Sequence, residues 1–343
     1  MNVLITCAGR RSYLVEWFRH AVAPEGLVVA TNSQAEATAM VVADLAVVAP
    51  PLASDGYIDF LLDVCRREQI ALVVPVFDLE LPVLAGAISR FAAAGVRVAV
   101  SAPDVIALCQ DKLATVDIAR RAGLTAPRTT LDPAEAAGWL GAGADRVFVK
   151  PRRGTGSIAT WSTSEADEIE LLHRKVHRDL RSTYLAEPGG SDDVVVQEGV
   201  RGVEHGLTVV NDFAGRFQCV LAHRKLAMRA GETDAAVTVD APRLHAAGRA
   251  LADELGHVGA LDVDVFVHGD DVAVLDLNVR IGGNYPFAHL AGADLPAAYV
   301  AWAGGRTVDG DLFAIDPGIV ALKSIDVIRA GGSLRSLGRT RPA

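Results

Sequence analysis

The chain has 343 residues, half of them hydrophobic and 22% charged, with a net charge of −9. That length points to two or three domains, and the balance excludes disorder over most of the chain. The acidic charge and the lack of a basic stripe argue against duplex nucleic-acid binding, and no apolar run of about 18 residues is present to span a membrane. Met1–Thr6 runs straight into a strand pattern without a preceding basic segment, unlike a signal peptide. Cys7, Cys65, Cys109 and Cys219 never occur as C-x-x-C, so a reducing cytoplasm is expected, without a disulfide framework or structural zinc.

In chain order, Val3–Thr6 reads as a strand, Ser12–Ala23 as a helix, and Val28–Thr31 and Leu45–Ala49 as strands. Tyr57–Glu68 is helical, Ala71–Pro75 a strand, Leu79–Ala94 a helix and Val96–Ser101 a strand. Short β-branched runs separated by helices predict a doubly wound parallel sheet, with ligands outside its C-terminal strand ends. The residues at those ends are Cys7–Ser12, Asn32-Ser33 and Phe77–Glu80. Arg10 and Arg11 either hold an anion at a helix N-terminus or sit in a plain turn. Asp78 either holds a substrate ammonium or caps a helix, and Glu80 has no role assigned.

From Pro103 the rhythm changes. Helices are expected at Pro103–Cys109 and Leu113–Ala122, then a stop at Gly123–Pro127. Val147–Lys150 is a strand entering a glycine-rich turn, and Leu180–Asp193 reads as a Pro/Gly/Ser-rich loop. Val194–Gln197, Glu204–Asn211, Arg216–Ala222, Ala260–Val267 and Asp271–Leu277 read as strands, interrupted by helix Pro242–Leu255. Two-residue connections at Ala214-Gly215 and Gly269-Asp270 suggest antiparallel hairpins. The fold class expected is α/β, with an N-terminal parallel sheet followed by an α+β portion.

Three segments carry chemistry. Lys150-Pro151-Arg152-Arg153-Gly154-Thr155-Gly156-Ser157 delivers a lysine from a strand into small residues whose backbone can approach phosphate oxygens. It is neither a Walker A loop nor a Rossmann fingerprint, and a tight hairpin turn with solvated arginines would also produce it. In the second, strand parity puts Asp262 and Asp264 on one face and Asp276, Asn278 and Arg280 on another. The Gly269-Asp270 hairpin brings these faces together, a set that suits a hard cation with oxygen ligands; an ordinary solvated strand face is the plain alternative. Third, Gln197-Glu198-Gly199-Val200-Arg201-Gly202-Val203-Glu204 ends a strand in a glycine bend. Beyond these, His223–Thr233 reads as a basic loop in which Lys225 and Arg229 could meet a γ-phosphate or a substrate carboxylate. Only five of the 33 basic residues are lysines, and Lys112, Lys150 and Lys225 fall near these segments. A lysine supplies a compact point charge that arginine does not replace.

In order and spacing these segments resemble the ATP-grasp superfamily, most closely its branch similar to carbamoyl-phosphate synthase large subunits and amino-acid ligases. The resemblance spans roughly residues 1–330. It implies a Rossmann-like pre-ATP-grasp domain over 1–105, a central subdomain with a glycine-rich lid over 106–195, and a C-terminal subdomain with the metal site over 196–343. It implies ATP contacts at Lys112 and Lys150, a lid at Gly154, Gly156 and Ser157, an adenine-reading linker at Gln197, Glu198 and Val200, and a ribose acid at Glu204. It implies Mg²⁺, with Mn²⁺ as a substitute, on Asp264, Asp276 and Asn278, and Arg280 beside the transferred phosphoryl group. Asp276 departs from the family's usual glutamate and Val279 from its usual proline, which bears on the metal geometry.

The activity implied is ATP-dependent ligation of a carboxylate to an amine through an acyl phosphate, giving ADP and phosphate. The substrates would be amino acids or other small metabolites. Alternatives are bicarbonate as the acceptor, an ATP-binding module without turnover, and an NAD-dependent oxidoreductase, against which the missing G-x-G-x-x-G speaks. A homodimer is the family-level expectation.

Overall fold

The computed structural model describes residues 1–154, 156–181 and 194–330. Thr155 and the expected loop at Leu180–Asp193, from 182 on, lie outside the described residues. The first sheet is parallel, in the order β3-β2-β1-β4-β5. Its strands are β1 (Asn2–Thr6), β2 (Val28–Asn32), β3 (Leu45–Val48), β4 (Ile70–Pro75) and β5 (Arg97–Val98). Val3, Leu4 and Ile5 are fully buried because β1 is central and covered on both faces. Leu14 and Phe18 of α1 (Ser12–Val22) pack against Val3, Ile5 and Val74. After α2 (Thr38–Val42), Leu61 and Val64 of α3 (Tyr57–Arg67) pack against Leu4 and Val73 on the other face. The order reverses about β1, which places a crevice at the C-terminal ends of β1 and β4.

Two expectations need correction here. The helix predicted over Leu79–Ala94 is divided into a 3-10 turn at Asp78–Glu80, α4 (Leu81–Gly86) and α5 (Ile88–Ala93). Ala87 leaves the helical region with φ −111° and ψ 8°. The strand predicted over Val96–Ser101 pairs only at Arg97–Val98, and its last ladder contact is Ala99 N–H to the Val73 carbonyl.

Helices α6 (Pro103–Gln110) and α7 (Lys112–Arg121) follow. Asp111 separates them and caps α7, its carboxylate accepting from Leu113 N at 2.9 Å. The second sheet is antiparallel in the order β6-β9-β7-β8, from β6 (Thr129–Thr130), β7 (Val147–Pro151), β8 (Trp161–Thr163) and β9 (Val194–Glu198). Helices α8 (Pro133–Gly141) and α9 (Ile169–Leu180) bury Trp139 and Val176 against Val147, Val149, Val194 and Val196.

The third sheet is antiparallel in the order β14-β13-β10-β11-β12-β15. Its strands are β10 (Val203–Asn211), β11 (Phe217–Arg229), β12 (Glu232–Thr238), β13 (Ala260–His268), β14 (Asp271–Asn278) and β15 (Val320–Leu322). α10 (Pro242–Leu255) lays Leu244, Ala247 and Leu251 on Leu207, Val209 and Val220, and stops at Gly256 with φ +55°. α11 (Tyr285–Leu290) and α12 (Leu295–Ala303) share a core with α1 through Tyr285, Tyr299 and Phe18, which ties this sheet to the first.

The Gly269-Asp270 hairpin is present, with Gly269 at φ +59°. The other connection is longer than two residues. Asp212 folds it into a loop by accepting from Ala214 N at 2.8 Å and Arg216 N at 3.0 Å, so β11 starts only at Phe217. The expected basic loop His223–Thr233 is strand instead. β11 continues to Arg229 because β12, which the sequence pattern did not reveal, pairs with it from His223↔Thr238 to Arg229↔Glu232.

Candidate active site

A cleft of about 540 Å³ lies between the second and third sheets. Lys112, Lys150, Gly154, Gly156, Ser157, Gln197, Glu198 and Val200 line it, as do Glu204, Asp264 and Asp276 from the third sheet. Phe148, Ile158, Met228, Phe266 and Leu275 supply an apolar wall that the sequence did not single out.

The upper side is built from β7, β9 and the start of α7. Lys150 leaves the end of β7 and donates to Gln197 Oε1 at 2.6 Å on the paired strand β9. Gln197 in turn donates to Thr129 Oγ1 at 3.0 Å. Burial, reinforced by the nearby charge of Lys112, pulls Lys150 down to about 7. Lys112 is buried at the first position of α7, 3.6 Å from Asp276 Oδ1, and donates to the Gly154 carbonyl at 3.3 Å. Arg152 grips Asp111 through three contacts of 2.7–3.0 Å, fixing the base of the glycine-rich loop to the cap of α7. That loop reaches the turn between β11 and β12. A Cβ on Gly231 would lie 2.5 Å from Ser157 Oγ, so only glycine permits the contact. Arg128 forks onto Glu198 at 2.7 Å twice and holds its carboxyl below the usual carboxylate range.

The lower side is one face of the third sheet. Asp264 is directly opposite Asp276 across the β13–β14 ladder, and Asp262 is opposite Asn278. A bulge between Asp264 and Val265 shifts the register by one residue, and the ladder then continues from Val265↔Val274 to His268↔Asp271. Lys225 is buried on β11 and bridges Asp264 Oδ1 at 2.6 Å and Glu204 Oε1 at 2.7 Å. Burial alone would lower Lys225, but Asp264 and Glu204 outweigh it and hold the ammonium above its ordinary value. Asn278 turns its amide nitrogen to Asp276 Oδ2 at 3.3 Å.

Four sequence expectations change, at Asp262, Arg280, Arg229 and Asp78. The convergence of Asp262 with the other carboxylates does not occur, because Arg280 claims Asp262 at 3.3 Å and pairs with Asp78 at 2.9 Å. Arg280 is therefore buried beneath the cleft and does not line it. Arg229 lies at the exposed end of β11, paired with Asp234 at 2.7 Å, and does not line the cleft either. Asp78 is neither a plain cap nor open to the cleft; it is the Arg280 partner. Glu80 is fully buried, accepting from Tyr57 at 2.6 Å and Thr6 at 2.8 Å, with burial pushing it up to about 7. Arg11 precedes α1, whose N-terminus has no side-chain cap, and Arg10 is exposed.

Among the described residues no three His, Cys, Asp or Glu side chains converge into an all-protein metal cage. Two opposed carboxylates with an amide beside them still fit a cation that takes its remaining oxygens from phosphate and water, as Mg²⁺ does. No described helix is long and apolar enough to cross a membrane.

A family model described as an ATP-grasp domain matches residues 109–284, and one described as PylC-like, N-terminal domain matches residues 3–99. No curated protein matches the chain. Among solved structures, the fold is similar to the biotin carboxylase domain dimer of Hydrogenobacter thermophilus 2-oxoglutarate carboxylase with MgADP, ADP and bicarbonate. The TM-score is 0.70 at 17% identity, over 90% of this chain and 70% of that one. Campylobacter jejuni biotin carboxylase with a bound ATP species gives 0.72 at 15% identity, over 92% and 73%. N5-carboxyaminoimidazole synthetase from Staphylococcus aureus gives 0.65 at 12% identity, over 90% and 78%. At these identities the likeness is one of fold.

Proposed function

The chain belongs to the ATP-grasp family, and from that premise we propose that it is an ATP-dependent carboxylate–amine ligase producing ADP and phosphate. One observation carries the proposal. Lys112, Lys150 and a glycine-rich loop face an opposed pair of carboxylates, Asp264 and Asp276, across a cleft with an apolar wall. The wall suits a purine ring, Glu204 suits a ribose hydroxyl, and Glu198 and Val200 border the adenine end. Lys150 and the loop's backbone amides suit phosphate oxygens. Asp264 and Asp276, with Asn278 beside them, would hold Mg²⁺, which when bound offsets charge on the transferred phosphoryl group.

In this reading a substrate carboxylate oxygen attacks the γ-phosphorus and the bond to ADP breaks. The amine nitrogen then attacks the acyl carbon, phosphate leaves, and the nitrogen loses a proton to solvent. The work of the protein is charge placement and water exclusion, so no covalent nucleophile is required. Arg280 contributes indirectly, by anchoring the strand end that carries Asp276 and Asn278. Bicarbonate as the activated carboxylate is a second reading, favoured by the bicarbonate held in the 2-oxoglutarate carboxylase domain. The free thiols of Cys7, Cys65, Cys109 and Cys219 favour a reducing cytoplasm as the working compartment. The test is a panel of amino acids, other small carboxylates and bicarbonate, with amines, scored for nucleotide product. ADP is expected, and AMP with any substrate that turns over would overturn the proposal.

Lys150 gives a prediction with its own pH signature. Lys150→Ala should weaken ATP binding by about 1.5–3 kcal/mol, the range for a hydrogen bond to a charged group. In the free protein this lysine loses its proton near pH 7. Phosphate favours the charged form, so binding takes up a proton above that pH. Wild-type affinity should therefore fall as pH rises from 7 toward 9, and Lys150→Ala should lose that dependence. Calorimetry in two buffers of different ionisation enthalpy measures the proton uptake directly.

A further inference from the structure

We propose that Asn284 is a positioning residue that holds the Asp264 carboxylate in place for a divalent cation and couples it to the Arg280 clamp. The inference rests on the reading of Asp264 as a metal ligand. Asn284 stands four residues after Arg280, at the start of α11, and is 3% exposed. Its Nδ2 donates to Asp264 Oδ1 at 3.0 Å and to the Val263 carbonyl at 3.3 Å. Its backbone N–H donates to Asp262 Oδ1 at 3.2 Å, and Asp262 is the carboxylate that receives Arg280. Thr233 on β12 donates to its Oδ1 at 3.4 Å. One residue thus touches both acidic positions of β13, the one facing the cleft and the one clamped beneath it.

The backbone around Asn284 makes room for these contacts. Gly206 on β10 is the ladder partner of Asp264. A Cβ there would come within 2.3 Å of Asn284 Oδ1, so any side chain would displace the amide. At Gly282 a Cβ would fall 1.9 Å from Asp262 Oδ2 and 2.5 Å from Arg280 Nη1. The glycine turn therefore lies flat against the ion pair and delivers Asn284 onto the sheet. A continuous polar chain results: Asp78, Arg280, Asp262, Asn284, Asp264, Lys225, Glu204. Asp264 Oδ1 takes donors from β11 and from the loop after β14 at once. Removing Asn284 leaves Asp264 Oδ1 with the Lys225 ammonium alone, a donor shared with Glu204, so the carboxylate is held from one side only. Loss of such an outer-shell hydrogen bond typically weakens metal binding by about 10–100-fold.

The test is Mn²⁺ binding to the protein–ADP complex, followed by the electron spin resonance of free Mn²⁺, with ADP binding in chelator measured alongside. Asn284→Ala should weaken Mn²⁺ binding by at least about tenfold and leave metal-free ADP affinity unchanged. A merely structural role would lower thermal stability without separating the two affinities. Asn284→Ser keeps a small polar side chain in the buried site but cannot reach Asp264, and it replaces the alanine variant if that fails to fold. Asp264→Ala is the reference. If Mn²⁺ binding survives in Asp264→Ala, the metal reading falls and this inference with it. If it is lost there but unchanged in the folded Asn284 variant, the inference alone is overturned.

Discussion

Asp276→Ala is expected to lower turnover by at least about a hundredfold, the scale for removing one charge-stabilising group from a transition state. The fold should survive, because Asp276 is a partly exposed side chain at the cleft and its loss removes little core volume. The variant also separates metal from nucleotide. Lys112 is 3.6 Å from Asp276 in the intact protein, and without that partner it is freer to meet phosphate. ADP binding in chelator should therefore hold or strengthen while turnover with Mg²⁺ is lost. Full ADP formation by the variant would remove Asp276 from the site.

Arg280→Met should destabilise the protein by about 3–5 kcal/mol, because removing one member of a buried ion pair leaves uncompensated charge. Here the penalty falls on two carboxylates, Asp78 and Asp262, each with little exposure. Burial pushes Asp262 upward against the pull of Arg280, so its charge is costly once the guanidinium is gone. Protonating Asp262 relieves that cost, and the deficit should narrow as pH falls. Urea unfolding at several pH values measures it. A deficit below about 1 kcal/mol at neutral pH would mean that the clamp carries little stability, as exposed ion pairs do. The clamp joins residues 202 positions apart, from the ligand edge of the first sheet to the end of β14. Its loss should therefore also loosen the first sheet from the rest.

What the sequence disclosed follows from local physics. Runs such as Leu72-Val73-Val74 between helices mark a parallel sheet because both faces of such strands are buried. The alternation through Asp262, Asp264, Asp276 and Asn278 places side chains by parity along each strand, but the two-residue turn alone would set Asp264 against Leu275; the bulge between Val265 and Asp264, which no local pattern announced, brings Asp264 opposite Asp276. Lys150 and the glycines after it line the cleft, but their pattern, a strand end entering small residues, is shared with a plain hairpin turn. What escaped depends on distant partners. No local pattern says that Arg280 turns down to Asp78 instead of up to the cleft, since that choice is made by a carboxylate in another sheet. Lys225 and Arg229 looked like a loop because their strand is held by pairing with β12 and, at Lys225, by the half-buried Asp264 and Glu204, which outweigh its polar composition. Asn284 carried a signal that went unused. A glycine in the middle of β10, with ordinary strand geometry, marks a place where something polar approaches the backbone.

In the proposed reaction a carboxylate becomes an acyl phosphate by attack on the terminal phosphoryl group. Oxygen-18 placed in the carboxylate of whichever substrate turns over tests it most directly. One labelled oxygen forms the bond to phosphorus and leaves with it, so each phosphate released should carry one atom of label, with ADP as the other product. Unlabelled phosphate from a substrate that is ligated, or label recovered in AMP, would contradict it.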